Sequence, residues 1–398
     1  MQAVPVMLPF RKRRAPAFTL VEMMVACAIL VIILGVVFQL TSQVAQVWRS
    51  STSKIQAFQE ARAGFEAMTR RLSQATLNTY YDYYNAAYQT RAAYYVASPN
   101  GTFVPSTYDR VSNLHFISGQ AGTLLANSPT AITTQTHAVF FQAPIGYTET
   151  PASYQRLDNA LNACGYFLQF DAGASSIPTY ITSAPNYKPR YRYRLMEMLQ
   201  PTESLGVYFG GPNDWFVNNA VNTAANVNSR IVAENVIALV LLPELPPSQD
   251  SSGPPGTALA PNYNYNSRVG LLAASDAEWP GANPSFPVDS FTATSSSGST
   301  PGTRHHQLPP LMHVVMIVID EASAIRLQGN SITVPTAINL AAINPPIFTS
   351  AANLATDIVS VQKICNATAG NLTGNKMPLN YRIFNSDVIL RQAKWSNK

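Results

Sequence analysis

Charged residues are scarce in this sequence. They make up 12% of its 398 residues, whereas 46% are hydrophobic. This balance excludes a wholly disordered chain, because the apolar residues can bury enough surface to form a core. The net charge of +5 is local, since four of the positive charges come from Arg11, Lys12, Arg13 and Arg14. Basic residues beside an apolar segment set membrane topology, so the net charge gives no reason to expect nucleic acid as a partner.

Cysteine is almost absent as well. The three cysteines, Cys27, Cys164 and Cys365, are too few for a disulfide framework in a chain of this length. Cys27 lies inside an apolar run, where we interpret it as a small membrane hydrophobe. For Cys164 and Cys365 two alternatives stay open, a disulfide across a long loop and a pair of free buried thiols. The sequence does not decide between them, because it does not give the distance between the two residues.

The sequence also lacks the short motifs that carry common enzyme chemistry. It contains no G-x-S-x-G, no H-E-x-x-H, no P-loop and no G-x-G-x-x-G, so nucleophilic, zinc and nucleotide sites lack their usual local geometry. His305 and His306 lie in a Ser-, Pro- and Gly-rich stretch and are interpreted as part of a solvated loop, with His313 beyond it. Asp320 and Glu321 are interpreted as the end of a strand. We therefore expect no enzyme activity, no cofactor and no metal site.

Long apolar runs are most evident near the N-terminus, where residues 17–38 read AFTLVEMMVACAILVIILGVVF. With its flanks the run approaches the roughly 20 residues that a helix needs to span a bilayer. Its only A-x-A sequence, at residues 26–28, lies inside the apolar core, which argues against a cleaved secretory signal peptide. Glu22 is its only charged side chain, and a carboxylate near the centre of a span costs about 2.5 kcal/mol or more. A plain signal anchor would leave Glu22 unexplained.

The leader RKRRAPA followed by FTLVE resembles the cleavage region of a type IV prepilin or a type II secretion pseudopilin. The resemblance implies that a prepilin peptidase cleaves between Ala17, where the family usually has glycine, and Phe18. The new amino group of Phe18 would then be methylated. Glu22 would become the fifth residue of the mature chain and form a charge pair with the amino group of Phe18 in a neighbouring subunit. Such a pair would fix the register between subunits, because a misaligned subunit leaves one charge unpaired.

Proline is absent between Pro16 and Pro99, although the chain contains 29 prolines. This gap and the helical spacing of apolar residues predict one continuous helix from residue 18 to about residue 78. We divide it into a membrane or filament-core half at 18–40 and an amphipathic half at 41–78, preceded by the leader at 1–17. The apolar stripe that we expect to pack in a core consists of Val44, Val47, Trp48, Ile55, Phe58, Phe65, Met68 and Leu72.

The remainder, residues 79–398, has short apolar runs between turn-forming residues, which predicts a β-rich head. Its start is rich in tyrosine, and we expect a half-exposed packing layer there, because no basic stripe accompanies the rings. Residues 246–304 are rich in turn formers and are interpreted as a long surface insertion. The fold class is therefore α+β, with a long hydrophobic and amphipathic N-terminal helix packed on a β-rich, pilin-like head. The expected strands lie at 111–117, 137–143, 165–170, 190–199, 235–244, 311–320 and 386–393.

The order of the late apolar runs resembles that of J-type minor pseudopilins, and the ending YRIFNSDVILRQAKWS resembles the Verru_Chthon cassette protein C family. These resemblances imply a minor subunit at or near the tip of a type II secretion or type IV pilus-like filament. The expected partners are prepilin peptidase, other pilin or pseudopilin subunits and the bacterial inner membrane. The N-terminus would be cytoplasmic and the head periplasmic, and a secreted substrate stays an open alternative.

Two other functions stay open. One is a type IV pilus subunit for adhesion or DNA uptake, which a head that binds surface glycan or DNA would support. The other is a membrane-anchored extracytoplasmic enzyme. The enzyme alternative requires a pocket in which titratable side chains converge.

Overall fold

The computed structural model describes residues 19–87, 89–150, 157, 159–173, 177–208, 214–221, 228–244, 263–268, 306–328, 331–370 and 372–393. The chain divides into two units, with the boundary between Ser53 and Lys54. The described part of the first unit is helical, and the second unit contains the last part of the same helix, the sheets and the remaining helices. The expected leader, including Ala17, and the neighbouring Phe18 lie outside the described residues.

The N-terminal helix, α1, spans Leu20–Leu72. It ends before the expected residue 78 because the residues that follow it bond elsewhere. The N–H of Ala75 donates to the carbonyl of Leu72 at 3.0 Å in a tight turn, and the N–H of Thr76 donates to the carbonyl of Gln142 at 2.9 Å. The second bond ties the chain to a strand of the head. The end of α1 is therefore set by tertiary contacts that the proline pattern does not report.

The head is built from antiparallel strands with short helices between them. The described strands are β1 (Tyr80–Tyr84), β2 (Thr107–Val111), β3 (Ile117–Gln120), β4 (His137–Pro144), β5 (Leu161–Asp171), β6 (Arg192–Gln200), β7 (Ser229–Glu234), β8 (Val236–Glu244), β9 (Tyr265–Asn266), β10 (Leu311–Ile319) and β11 (Tyr381–Ile389). The described helices after α1 are α2 (Arg91–Ala97), α3 (Ala121–Leu124), α4 (Thr179–Thr182), α5 (Asp214–Ala220), α6 (Glu321–Gln328) and α7 (Leu354–Cys365).

These strands form three sheets. The largest has the order β7-β6-β5-β4-β3-β9, the second has the order β11-β10-β8, and β1 pairs with β2 alone. The strand predictions at 137–143, 165–170, 190–199, 235–244 and 311–320 are confirmed by β4, β5, β6, β8 and β10. The prediction at 386–393 is shifted, since β11 begins at Tyr381.

The predicted strand at 111–117 is wrong. The segment between β2 and β3 is irregular because the side chain of Asn78 satisfies its backbone. The Oδ1 atom of Asn78 accepts hydrogen bonds from the N–H groups of Asn113 and Leu114 at 3.0 and 3.3 Å. Leu114 and Phe116 are nevertheless buried. The apolar pattern of this segment therefore reports burial correctly and secondary structure incorrectly.

The six-stranded sheet has a hydrophobic core on each face. One core contains residues of this sheet together with the three-stranded sheet and the end of α1, which contributes Ala61, Phe65, Met68 and Leu72. The other core is covered by α3 and α5 and contains Trp215 and Phe216. The four core residues of α1 are spaced by three or four positions, so they lie on one face of the helix, and this face packs in the core. The stripe prediction holds for this end of the helix.

A buried carboxylate connects the end of α1 to the six-stranded sheet. Glu197 of β6 is 2% exposed and accepts hydrogen bonds from the guanidinium of Arg71 and the hydroxyl of Tyr166 through Oε1. Its Oε2 atom accepts from Nε of Arg230 at 2.6 Å. The four side chains belong to α1, β5, β6 and β7. They hold the last turn of the helix in one position on the sheet.

Residues 263–268 differ from the surface insertion that the sequence predicts for 246–304. Tyr263 and Tyr265 are buried, and β9 pairs with β3 at the edge of the large sheet. The ring of Tyr263 lies 4.4 Å from that of His137. This short segment therefore belongs to the core, because its aromatic side chains cover buried groups of β3 and β4. The remainder of the expected insertion lies outside the described residues.

Gly64 allows the close approach of α1 to β7. A Cβ atom at this position would lie 3.0 Å from Cγ1 of Val232 and 3.2 Å from its carbonyl oxygen. We expect Gly64→Ala to lower the free energy of unfolding of the head by about 1 kcal/mol, because overpacking of 1–3 kcal/mol outweighs the gain in helix propensity. The measurement is chemical denaturation of the full chain in detergent, with tryptophan fluorescence as the signal for unfolding.

The control for Gly64→Ala is Ala63→Gly, since Ala63 is exposed on the same turn of α1. This variant measures the helix propensity difference without the contact to β7, and a loss of about 1 kcal/mol is expected. A gain in stability for Gly64→Ala of similar size to the loss in Ala63→Gly would contradict the packing argument.

Candidate processing and assembly site

Thr19 and Glu22 form a reciprocal cap at the start of α1. The N–H and the hydroxyl of Thr19 donate to Oε2 of Glu22 at 2.9 and 3.0 Å. The N–H of Glu22 in turn donates to Oγ1 of Thr19 at 3.3 Å. This is the capping-box arrangement, in which an N-cap hydroxyl and a glutamate three residues later satisfy each other's backbone N–H groups. Glu22 therefore has a partner within its own helix.

The cap explains why a carboxylate is tolerated at this place in an apolar helix. The first N–H groups of any helix lack intrahelical acceptors and carry partial positive charge. The carboxylate of Glu22 accepts one of these N–H groups and lies at the favourable end of the helix dipole. The sequence interpretation considered a neighbouring subunit as the source of the partner and missed Thr19, although the T-x-x-E spacing is a recognised cap signal.

The segment Leu20–Trp48 of α1 is long and apolar enough to cross a membrane. Its apolar side chains are exposed in the described chain, for example Leu20 at 76% and Phe38 at 73%. A continuous apolar surface of this extent is unfavourable in water. Val44, Val47 and Trp48 of the predicted stripe are exposed in the same way. Ile55 of the same stripe is 58% exposed. The prediction that the stripe packs in the chain's own core is therefore wrong for these four residues.

The three cysteines are free thiols in the structure. Cys27 is exposed on the apolar part of α1, whereas Cys164 and Cys365 are buried. Burial raises the pKa of the Cys164 thiol to about 12, and it raises the pKa of the Cys365 thiol to about 12 as well. Both side chains lie in the main hydrophobic core. The disulfide that the sequence left open is not formed in this structure.

The acidic pair that follows β10 has structural partners. Asp320 accepts the N–H of Ser323 at 2.8 Å, as an N-cap residue does at the start of a helix, and the amide of Asn380 at 2.9 Å. Glu321 forms an ion pair with Arg192 at 3.1 Å. The interpretation of these residues as a simple strand end is therefore incomplete, because they cap α6 and anchor it to β6.

The described histidines among those considered as ligands have separate partners. His305 lies outside the described residues, and His306 is buried rather than part of a solvated loop. The N–H of His306 donates to the carbonyl of Ser267 at 2.8 Å. His313 instead bonds the carboxylate of Asp387 on β11. In the part of the chain that the structure describes, no group of three or more His, Cys, Asp or Glu side chains is arranged to hold a metal ion.

The tyrosine-rich segment places a row of rings on one face of the β1–β2 pair. The ring of Tyr108 lies 5.5 Å from that of Tyr81 and 5.0 Å from that of Tyr83. These three side chains are 42–55% exposed, whereas Tyr84 is buried and donates its hydroxyl proton to the carbonyl of Arg110 at 2.9 Å. The segment therefore contains both exposed and core tyrosines. Mutual ring contacts reduce the water-exposed area of the outer three.

His137 is a buried neutral imidazole in the core between the two larger sheets. Its Nδ1 atom accepts the N–H of Leu241 at 3.0 Å, so the proton of the neutral ring is on Nε2, which lies 3.1 Å from the carbonyl of Phe348. Burial lowers the pKa of His137 from 6.5 to about 4, and the bond to Phe348 opposes this effect. Sequence reasoning gave no attention to this residue, which connects β4, β8 and the segment before α7.

Removal of the Thr19 hydroxyl tests the cap. We expect Thr19→Val to destabilise the first turn of α1 by about 1 kcal/mol, because the shape is kept while the capping oxygen is lost. Hydrogen exchange of the Glu22 amide, measured in detergent micelles, should become about fivefold faster. Thr19→Ser keeps the hydroxyl and is the matched control. Equal protection in the Val and Ser variants would exclude the cap as the source of stability.

His137 predicts a pH dependence of head stability. Its folded pKa is depressed, so the unfolded chain binds a proton between pH 6.5 and 4 that the folded chain does not. The free energy of unfolding should be unaffected above pH 6.5 and decrease as the pH falls to 4, by up to about 3 kcal/mol from this group. The measurement is denaturant unfolding at several pH values for the native chain and for His137→Gln.

In His137→Gln the component between pH 6.5 and 4 should disappear. His313→Gln, which removes an imidazole at the surface of the three-stranded sheet, controls for the loss of a histidine elsewhere. An unchanged pH profile in His137→Gln would show that His137 is not the group responsible. Should that variant fail to fold, the NMR titration midpoint of the native ring near pH 4 gives the same test.

Comparison with known proteins identifies one motif in the chain. Residues 12–38 match the prokaryotic N-terminal methylation motif. No curated protein and no solved structure matches the chain. The matched residues include Ala17, Phe18 and Glu22 and the first part of the exposed apolar helix. The chain therefore carries the prokaryotic N-terminal methylation motif at residues 12–38 and an apolar helix from Leu20, a combination that is consistent with a type IV prepilin-like protein.

Proposed function

We propose that this chain is a minor pilin or pseudopilin, a structural subunit of a type II secretion or type IV pilus-like filament. Prepilin peptidase cleaves it between Ala17 and Phe18, the amino group of Phe18 is methylated, and the mature subunit assembles with other pilins. The observation that carries the proposal is the methylation motif at residues 12–38, which includes the start of an exposed apolar helix whose first turn contains Glu22.

The geometry of Glu22 supports a charge pair between subunits. Both hydrogen bonds from Thr19 reach the same oxygen, Oε2. Among the described residues, no hydrogen bond reaches the other oxygen, Oε1. The amino group of Phe18 in a neighbouring subunit is a donor of the required charge for it. Methylation leaves that amine cationic. The cap would orient the carboxylate before assembly, and the amine would complete its hydrogen bonding afterwards.

The exposed apolar surface supports a membrane-to-filament role. Side chains such as Ile32 and Val36 are more than half exposed. In the inner membrane lipid chains would cover them, and in a filament the equivalent helices of neighbouring subunits would do so. The head would then lie in the periplasm and the leader in the cytoplasm, where the basic residues 11–14 are expected.

The proposed position is at or near the filament tip. The unit that begins at Lys54 contains three described sheets and two hydrophobic cores. A head of this size is easier to place where no identical subunit must fit above it. We propose a mechanical and recognitional role without catalysis, supported by the structural partners of Asp320, Glu321 and His137. The resemblance of the late apolar runs to those of J-type minor pseudopilins is a further reason for this proposal.

Replacement of Glu22 tests the charge pair. We expect Glu22→Gln to be processed normally, giving a mature chain that begins with N-methylated Phe18 when the cognate peptidase is present. Incorporation into filaments should fall more than about tenfold, because the amine of the neighbour is left without its counter-charge in an apolar environment. Intact mass and N-terminal peptide sequencing report processing, and the amount of subunit in sheared filaments reports assembly.

The matched control is Glu60→Gln, which neutralises an exposed carboxylate later in the same helix. It should be processed and assembled like the native chain. Normal incorporation of Glu22→Gln would remove the charge-pair argument. A native chain whose N-terminus is Met1, or any residue other than Phe18, would overturn the assignment as a processed prepilin itself.

A further inference from the structure

The apolar segment of α1 is longer than the hydrocarbon layer of a bilayer is thick. It spans Leu20–Trp48, 29 residues, which corresponds to about 43 Å at 1.5 Å per residue. The hydrocarbon layer is about 30 Å thick, so residues 20–40 are long enough to cross it. Tilt alone does not bury the whole segment, because the tilt would have to exceed about 40°. With Leu20 at one boundary of the layer, residues 41–48 extend beyond the other boundary.

The composition of α1 changes at the same place. Residues 23–38 contain no strongly polar side chain, whereas residues 39–46 contain three glutamines, a threonine and a serine. No charged residue occurs between Glu22 and Arg49. Uncharged polar side chains mixed with apolar ones suit the headgroup layer of a membrane, which offers both polar and apolar contacts. Length and composition therefore indicate the same boundary, near Leu40.

Val44, Val47 and Trp48 form one exposed face of the segment beyond this boundary. Their exposed fractions are 66%, 65% and 73%, and their spacing of three and four residues places them on the same side of the helix. Side chains on a helix lean toward its N-terminus, so we expect the indole of Trp48 to lie over the turn that contains Val44. The ring is then directed toward the hydrocarbon boundary.

We propose that Val44, Val47 and Trp48 bind the headgroup layer of the lipid bilayer and fix the depth of α1 in it. This inference rests on the membrane location in the proposed function. The face is continuous with the apolar surface of the span, because Leu40, one turn earlier, is 56% exposed. Tryptophan has the apolar ring and the N–H donor that favour this layer. A seam between closely packed helices favours small residues instead, so Trp48 argues against a second subunit as the occupant.

Quenching of tryptophan fluorescence by labelled lipids tests the proposal. The full chain is reconstituted in vesicles of phosphatidylethanolamine and phosphatidylglycerol that carry a quencher either at headgroup level or at the ends of the acyl chains. Because the chain contains four tryptophans, the signal of Trp48 is the difference between the native chain and Trp48→Phe. The headgroup quencher should reduce this difference signal at least about twofold more than the acyl-end quencher, since interfacial indoles lie at headgroup level.

The matched control is Trp215→Phe, because Trp215 is 1% exposed in a core of the head. Its difference signal should respond to neither quencher. A Trp48 signal that both quenchers leave unchanged would overturn the proposal, and blue-shifted emission in that case would assign the face to another protein subunit. Stronger quenching from the acyl-chain ends would also overturn it, because Trp48 would then lie in the hydrocarbon layer.

Co-flotation of the chain with the vesicles separates this proposal from the proposed function. A chain that floats while Trp48 stays unquenched contradicts the lipid contact alone. A chain that does not float contradicts both the lipid contact and the membrane location. The measurement can be made on the uncleaved chain, so its result is independent of whether Phe18 becomes the mature N-terminus.

Discussion

The buried carboxylate of Glu197 is the constraint on which the arrangement of the head depends. A charge with 2% exposure is stable only when its hydrogen-bonding capacity is filled, and removing one partner of such a group costs about 3–5 kcal/mol. Its donors come from the end of α1 and from two strands on either side of β6. A rotation of the helix or a shift in strand register would separate at least one of them. The hydrophobic contacts of Phe65 and Met68 are less specific and can follow this alignment.

A carboxylate forms hydrogen bonds at each end of α1, one from the helix itself and one from the sheet. At the start, Glu22 belongs to the helix and accepts from its own first turn. At the end, Glu197 belongs to the sheet and accepts from Arg71 in the last turn. Negative charge near a helix N-terminus and positive charge near its C-terminus are both favourable with respect to the helix dipole. Each end of α1 therefore has a charge of the sign that the helix dipole favours.

The sequence predicts the central strands and the helix well and the edges of the fold poorly. Strands such as β8 and β10 are buried on both faces, so they read as uninterrupted apolar runs. β7 and β9 are short edge strands. Residues 263–268, which include β9, lie within the surface insertion that the sequence predicts. Only their contacts with β3 identify them as part of the core. The cap at Thr19 could have been found from its spacing to Glu22. The contacts of Glu321 with Arg192 and Asn235 could not, because they depend on the meeting of three segments that are distant in sequence.

The contribution of the helix cap at Glu22 is smaller than the cost of placing a carboxylate in hydrocarbon. A lenient estimate of the cost of such a carboxylate near the centre of a span is about 2.5 kcal/mol, whereas a capping interaction contributes about 1 kcal/mol. The cap at Thr19 therefore offsets part of the cost and leaves a remainder that only a second partner or local water removes. An unassembled subunit would retain this remainder, and an incoming cationic amine would relieve it. Under the proposed function, the same carboxylate would be tolerated in the membrane and would still favour assembly.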